Sequence, residues 1–228
     1  MKETPSGLSV AELQHLFTVR SVFTQRTQEI GNHARLERHE GSVGVYRKSG
    51  QLAVSEAVYP TQDEMHRMNR RGDKNAGRAS INLSKPETVL SLHSHPLEPG
   101  ESPMEYWRPS LTDVGIFLGT AAEGLSQVHG IIVPDGEATH TSQMHVILYG
   151  LDHRPAHQAR LRDIERAVKR CRGDDPSLSF YTKLGLLSVS IACDRDGKAK
   201  PGQAEKLKSF LPLRGAHEPG FFTDMLSW

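Results

Sequence analysis

The residues with the clearest capacity for chemistry stand in the run "LSLHSHPLE", residues 90–98. If that run is a strand, successive side chains alternate between its faces, so His93 and His95 project together from one of them. Their backbones would lie about 7 Å apart, and two imidazoles converging from that separation can bind one ion at about 2.0–2.1 Å each. Pro96 suits a strand that stops there, because proline donates no hydrogen bond to a ladder. A catalytic metal site takes three protein ligands and keeps one position open, so a third ligand is required. Downstream, "RPSLTDVG" offers Ser110 and Asp113, one helical turn apart and able to face one region. As local structure the pair is a capping serine with an acidic residue in the first turn of a helix. As chemistry it is a hydroxyl and a carboxylate at one helix tip.

His-x-His-Pro followed by Ser-x-x-Asp resembles the JAMM signature of the MPN-plus zinc metalloproteases. The likeness covers the motif and the order of elements around it, about residues 35–150. It implies an α/β fold of the MPN/JAB-like (cytidine-deaminase-like) kind, a mixed sheet flanked by helices. It implies Zn2+ held by His93, His95 and Asp113, with Ser110 stabilising a developing oxyanion and an upstream glutamate as general acid/base. Glu37, Glu40 and Glu56 are the candidates for that glutamate. Glu40 is preferred because "RHEGSVGVY" sets it immediately before a run of small residues. The Cys-Gly pair that often follows this glutamate in the family is absent.

The chain also departs from the family in spacing. His95 and Ser110 are fifteen positions apart, more than the family usually has. The surplus falls in "LEPGESPMEYWR", which has the composition of a surface loop. Lengthening such a loop costs only roughly 0.6 kcal/mol per doubling. Ser102 with Glu105 would shorten the gap, but a glutamate then replaces the aspartate and no helical pattern follows. Ser110 and Asp113 are preferred.

By resemblance, the reaction is hydrolysis of a peptide or isopeptide bond at the C-terminus of ubiquitin or a ubiquitin-like protein. That protein or its conjugate is then the implied partner, its extended tail added beside a sheet edge. Tyr106 and Trp107 in the long loop are natural contacts for such a tail. A noncatalytic MPN-type interaction scaffold is the alternative, against which stands the full set of required residue types. A different HxH metallohydrolase would call for a TIM-like barrel, typically about 250 residues. Its later ligands are wanting, since "TSQMHVIL" offers His145 alone.

The elements that must position these groups are readable in outline. "PSGLSVAELQHLFTVRSVFTQRTQEI" reads as one helix, opened by a Ser9/Glu12 capping box and carrying Leu13, Leu16, Phe17 and Phe23 on a buried face. "GSVGVYRKSGQLAVSEAVYP" reads as a hairpin turning at Ser49-Gly50. Residues 61–83 are polar and irregular. "VHGIIVPDGEATHTSQMHVILYGL" reads as two strands turning at Asp135-Gly136. "RPAHQARLRDIERAVKRC" reads as a basic amphipathic helix with Leu161, Ile164, Val168 and Cys171 on one face, and "GLLSVSIACD" as another strand. The expected organisation is a catalytic domain over residues 1–153 and a C-terminal extension over 154–228, helix plus strand, packed on it.

Composition narrows the classes of function. A formal charge of +1 over 228 residues gives no field to draw the chain to nucleic acid or to a membrane surface. No basic stripe with interleaved aromatics suggests nucleic-acid binding. No apolar run approaches the length of a transmembrane helix, and "MKETPSGLSVAELQ" does not look like a secretory signal. Two cysteines, Cys171 and Cys193, are too few for a disulfide framework, so a cytoplasmic setting is expected.

Overall fold

The computed structural model describes residues 8–37, 39–63, 88–96, 109–110, 113–114, 117, 128–134, 144–151 and 186–210. They form a mixed α/β protein: six strands in one mixed sheet, two α-helices and a short 3-10 helix.

The N-terminal region differs from the single helix expected of it. Helix α1 (Val10–Thr18) starts on Ser9, whose hydroxyl accepts the Glu12 N–H while the Glu12 carboxylate accepts the Ser9 N–H. It ends at Val19, whose backbone is extended. Helix α2 (Val22–Glu37) begins afresh, with the Thr24 hydroxyl accepting from the Ser21 N–H and donating to its carbonyl. The break has a packing cause. Six residues along one continuous helix is about 600° of rotation, which would turn Phe23 well away from Phe17. Across the break the two rings meet edge to face, 5.1 Å between centroids, and both are buried.

Strands β1 (Ser42–Lys48) and β2 (Gln51–Val54) make the expected hairpin. Its two-residue turn puts Ser49 and Gly50 at φ +50° and +80°, the left-handed pair that a tight hairpin uses to match strand twist. Strands β3 (Thr88–Ser94), β4 (Val128–Pro134), β5 (Met144–Leu151) and β6 (Leu186–Cys193) complete the sheet in the order β2-β1-β3-β4-β5-β6. β3 and β4 run parallel, and every other pairing among these strands is antiparallel. The C-terminal segment thus supplies the sixth strand. Its 3-10 helix (Gln203–Ser209) reaches α1, where the Gln14 side-chain amide donates to the Ala204 carbonyl at 3.1 Å. The expected basic helix near 154–171, the polar stretch beyond residue 63 and the Asp135-Gly136 turn lie outside the described residues.

The sheet has two buried faces. Val43, Val45, Leu90, Leu92, Ile132, Val146 and Leu148 join α1 and α2 in the main core. Gly130 is required within it. A Cβ there would stand 2.5 Å from Leu92 Cδ2 and 2.8 Å from Leu148 Cδ2, so side chains from both neighbouring strands fill its place. The opposite face alternates with this one and carries Ser42, Ser91, His93, His129, Ile131 and Tyr149. That face carries the sheet histidines His93 and His129.

Candidate metal centre

The tip of β3 is fixed from both sides. On one side, Ser94 N–H donates to the Gly41 carbonyl at 2.8 Å while its hydroxyl accepts the Gly41 N–H at 2.8 Å. On the other, His95 N–H donates to the Ile132 carbonyl at 2.9 Å. Gly41 can enter this position because it lacks a side chain: a Cβ would meet Ile30 and Tyr59 at 2.8 Å. The result is a rigid strand end presenting His93 and His95 on one face, at the carboxyl end of the parallel pair. Ligand sites in open α/β sheets favour such ends.

Ser110 and Asp113 satisfy each other at the start of a helical segment. Asp113 N–H donates to Ser110 Oγ at 3.1 Å, and Ser110 N–H donates to Asp113 Oδ2 at 2.8 Å. Ser110 also accepts the Val114 N–H on its carbonyl at 3.0 Å. The capping role is therefore real, and the same geometry aims the carboxylate at the strand tip. Asp113 Oδ1 stands 3.2 Å from His93 Nε2, and Oδ2 stands 3.2 Å from His95 Nε2. The two Nε2 atoms are 3.0 Å apart.

Among the described residues, His93, His95 and Asp113 form a group with the donors and spacing to hold a metal ion. Two ligands at 2.0–2.1 Å from a tetrahedral ion sit roughly 3.3 Å apart. The observed 3.0 to 3.2 Å is close to that separation, so small side-chain adjustments would admit an ion. His93 is half-buried, whereas His95 and Asp113 are buried. Burial alone would push the Asp113 carboxyl up. The charge of His93 and hydrogen bonds from both imidazoles outweigh it and hold the carboxyl well below its ordinary range. Asp113 is thus a carboxylate, the form a cation needs.

The three glutamates differ in place. Glu37 ends α2 and is exposed. Glu56 lies beyond β2, exposed, and pairs with Arg26. Glu40 is half-buried beside Gly41. It lies one residue before Gly41, whose carbonyl accepts the Ser94 N–H at the strand tip. Ser102, Glu105, Tyr106 and Trp107 lie outside the described residues.

Sequence reasoning overlooked His129. It lies on the ligand face between Ser91 of β3 and Tyr149 of β5. Phe117, one helical turn beyond Asp113, sets its ring 5.0 Å from His129 and 5.6 Å from Tyr149. Burial pushes the His129 imidazole down to about 3, with the charge of His93 adding to the effect and Asp113 opposing it. It is therefore a neutral ring beneath the centre. Period-two alternation in "VHGIIV" marked it as facing opposite to Gly130, but which face held the ligands depended on strand register.

No protein-family model, curated protein or solved structure matches the chain. What fold and site define is a mixed α/β protein with a candidate His-His-Asp metal centre at a sheet end. No helix among the described residues is long and apolar enough to cross a membrane.

Proposed function

We propose that the chain is a JAMM-type zinc metallopeptidase or isopeptidase on an MPN-like domain. One observation carries the reading: a strand tip and a helix tip bring two imidazoles and a carboxylate to within 3.0–3.2 Å of one another, across the enlarged gap that set this chain apart from the signature. Two nitrogen donors and one oxygen donor suit zinc better than calcium or magnesium, which favour all-oxygen shells.

A bound zinc ion supplies Lewis acidity and makes water acidic near neutral pH. The chain's own residues divide the remaining work. His93, His95 and Asp113 would hold the ion. Glu40, next to the Gly41 that is bonded to Ser94 at the strand tip, accepts a proton from the attacking water at its carboxylate and returns it to the departing amine. Water oxygen joins the carbonyl carbon, the C–N bond breaks, and the proton ends on nitrogen, so atoms balance. The Ser110 hydroxyl donates toward the carbonyl oxygen as that oxygen gains charge, while still accepting the Asp113 N–H.

The substrate class we propose is the extended C-terminal tail of a ubiquitin-like protein, joined to an amine and laid along a sheet edge. The test is cleavage of a lysine-linked ubiquitin-like conjugate by the zinc-loaded chain and by its Glu40→Gln variant. Cleavage by the first, with a loss of about 100-fold or more in the second at equal zinc content, is the expected result. Equal rates would remove Glu40 from the reaction. A chain that binds the conjugate and leaves it intact would be a scaffold.

A further inference from the structure

Ser42 is a fully buried polar residue whose hydroxyl oxygen has no hydrogen-bond partner. The neighbouring serines are satisfied: Ser94 Oγ is bonded to Gly41, and Ser55 Oγ accepts the Gly44 N–H and donates to the Glu56 carbonyl. Ser42 cannot relieve itself by sliding. Its N–H and C=O are both bonded to Val58 at 2.9 Å. Those bonds also turn its backbone away from β3, so Ser42 and His93 form the closely spaced kind of antiparallel pair, with Cβ atoms about 4.5–5.5 Å apart. The Ser42 side chain therefore stands on the ligand face, cross-strand from a metal-binding candidate. A buried hydroxyl left unpaired is costly, and such groups in a folded chain commonly mark a missing partner.

We infer that Ser42 is a ligand-contacting residue of this centre, donating its hydroxyl to an oxygen of a carboxylate or carbonyl ligand seated against His93. The inference rests on the metal-centre reading and adds a donor from a third element, β1, to the strand tip and helix tip. A ligand oxygen drawn to a cation is electron-rich and accepts hydrogen bonds. Ser42 thus acts from beneath the ligand, while Ser110 and Glu40 act from the helix tip and the strand start.

The test uses cobalt(II), whose visible absorption reports its surroundings, on the full chain as wild type, Ser42→Ala and Ser42→Thr. Each loaded protein is titrated with acetate. The expected result is one equivalent of cobalt in all three, acetate affinity reduced about tenfold in Ser42→Ala, and affinity within about twofold of wild type in Ser42→Thr. Equal acetate affinity in wild type and Ser42→Ala overturns the inference and leaves the metal centre standing. So does a wild type whose spectrum acetate does not move. Loss of cobalt in Ser42→Ala alone, with its thermal unfolding unchanged, would make Ser42 a support for His93 and overturn the ligand contact. A wild type that takes up no cobalt removes the centre itself, and the inference with it.

Discussion

Asp113 reaches His93 through Oδ1 at 3.2 Å while its other oxygen accepts the Ser110 N–H at 2.8 Å. One carboxylate is thereby both cap partner and candidate ligand. The backbone donor that orients it stays in place whatever side chain residue 110 carries.

Metal analysis checks the triad directly. Wild type should hold one equivalent of zinc, while His95→Ala and Asp113→Ala should bind it at least about 100-fold more weakly. That is more than the loss of an outer partner to a ligand typically costs. Because an ion bound only by the folded state stabilises it, a chelator should lower the unfolding temperature of wild type and leave both variants unmoved. Zinc retained in both would refute the site.

Ser110→Ala separates capping from catalysis. Removing the Oγ that accepts the Asp113 N–H should cost about 1 kcal/mol in unfolding free energy. Zinc should remain bound, since the Ser110 N–H still holds the carboxylate. Turnover on the conjugate should fall by about 100- to 1,000-fold if the hydroxyl serves the oxyanion. A fall no larger than the stability loss explains would leave Ser110 as a cap.

His129 should give the metal-free protein an acid weakness. Its folded value is about 3 against 6.5 for an ordinary histidine. Below pH 6.5 the unfolded chain therefore binds a proton that the folded chain refuses. Stability falls as pH drops from 6.5 toward 3, by up to about 1.4 kcal/mol per pH unit, and this contribution is flat above that window. His129→Phe, its ring set between Phe117 and Tyr149, should flatten the slope in chelator-treated denaturant titrations at pH 7, 6 and 5. An unchanged slope would mean that His129 is not the group responsible.

Gly130→Ala should destabilise the sheet by about 1–3 kcal/mol, the usual cost of overpacking a filled core. The added methyl meets Leu92 and Leu148 and also the Ile147 carbonyl at 3.1 Å. Since Leu92 adjoins His93, zinc affinity should fall with stability in this variant. Denaturant unfolding would read the first effect and metal titration the second.

What could be read along the chain was local. The Ser9/Glu12 box, the Ser49-Gly50 turn, the Ser110/Asp113 cap and the shared face of His93 and His95 each depend on residues within a few positions. Backbone geometry at short range dictates them. The helix break at residues 19–21 escaped that reading, because it answers to the meeting of Phe17 with Phe23. Noticing Ser42 and finding His129 both required strand register. A period-two pattern sorts residues onto two faces, but it cannot say which face another strand's ligands occupy. The convergence of Asp113 on the histidines is of the same kind: residues 97–109 separate the two tips in sequence, and a parallel β3–β4 pair with its crossover brings them together in space.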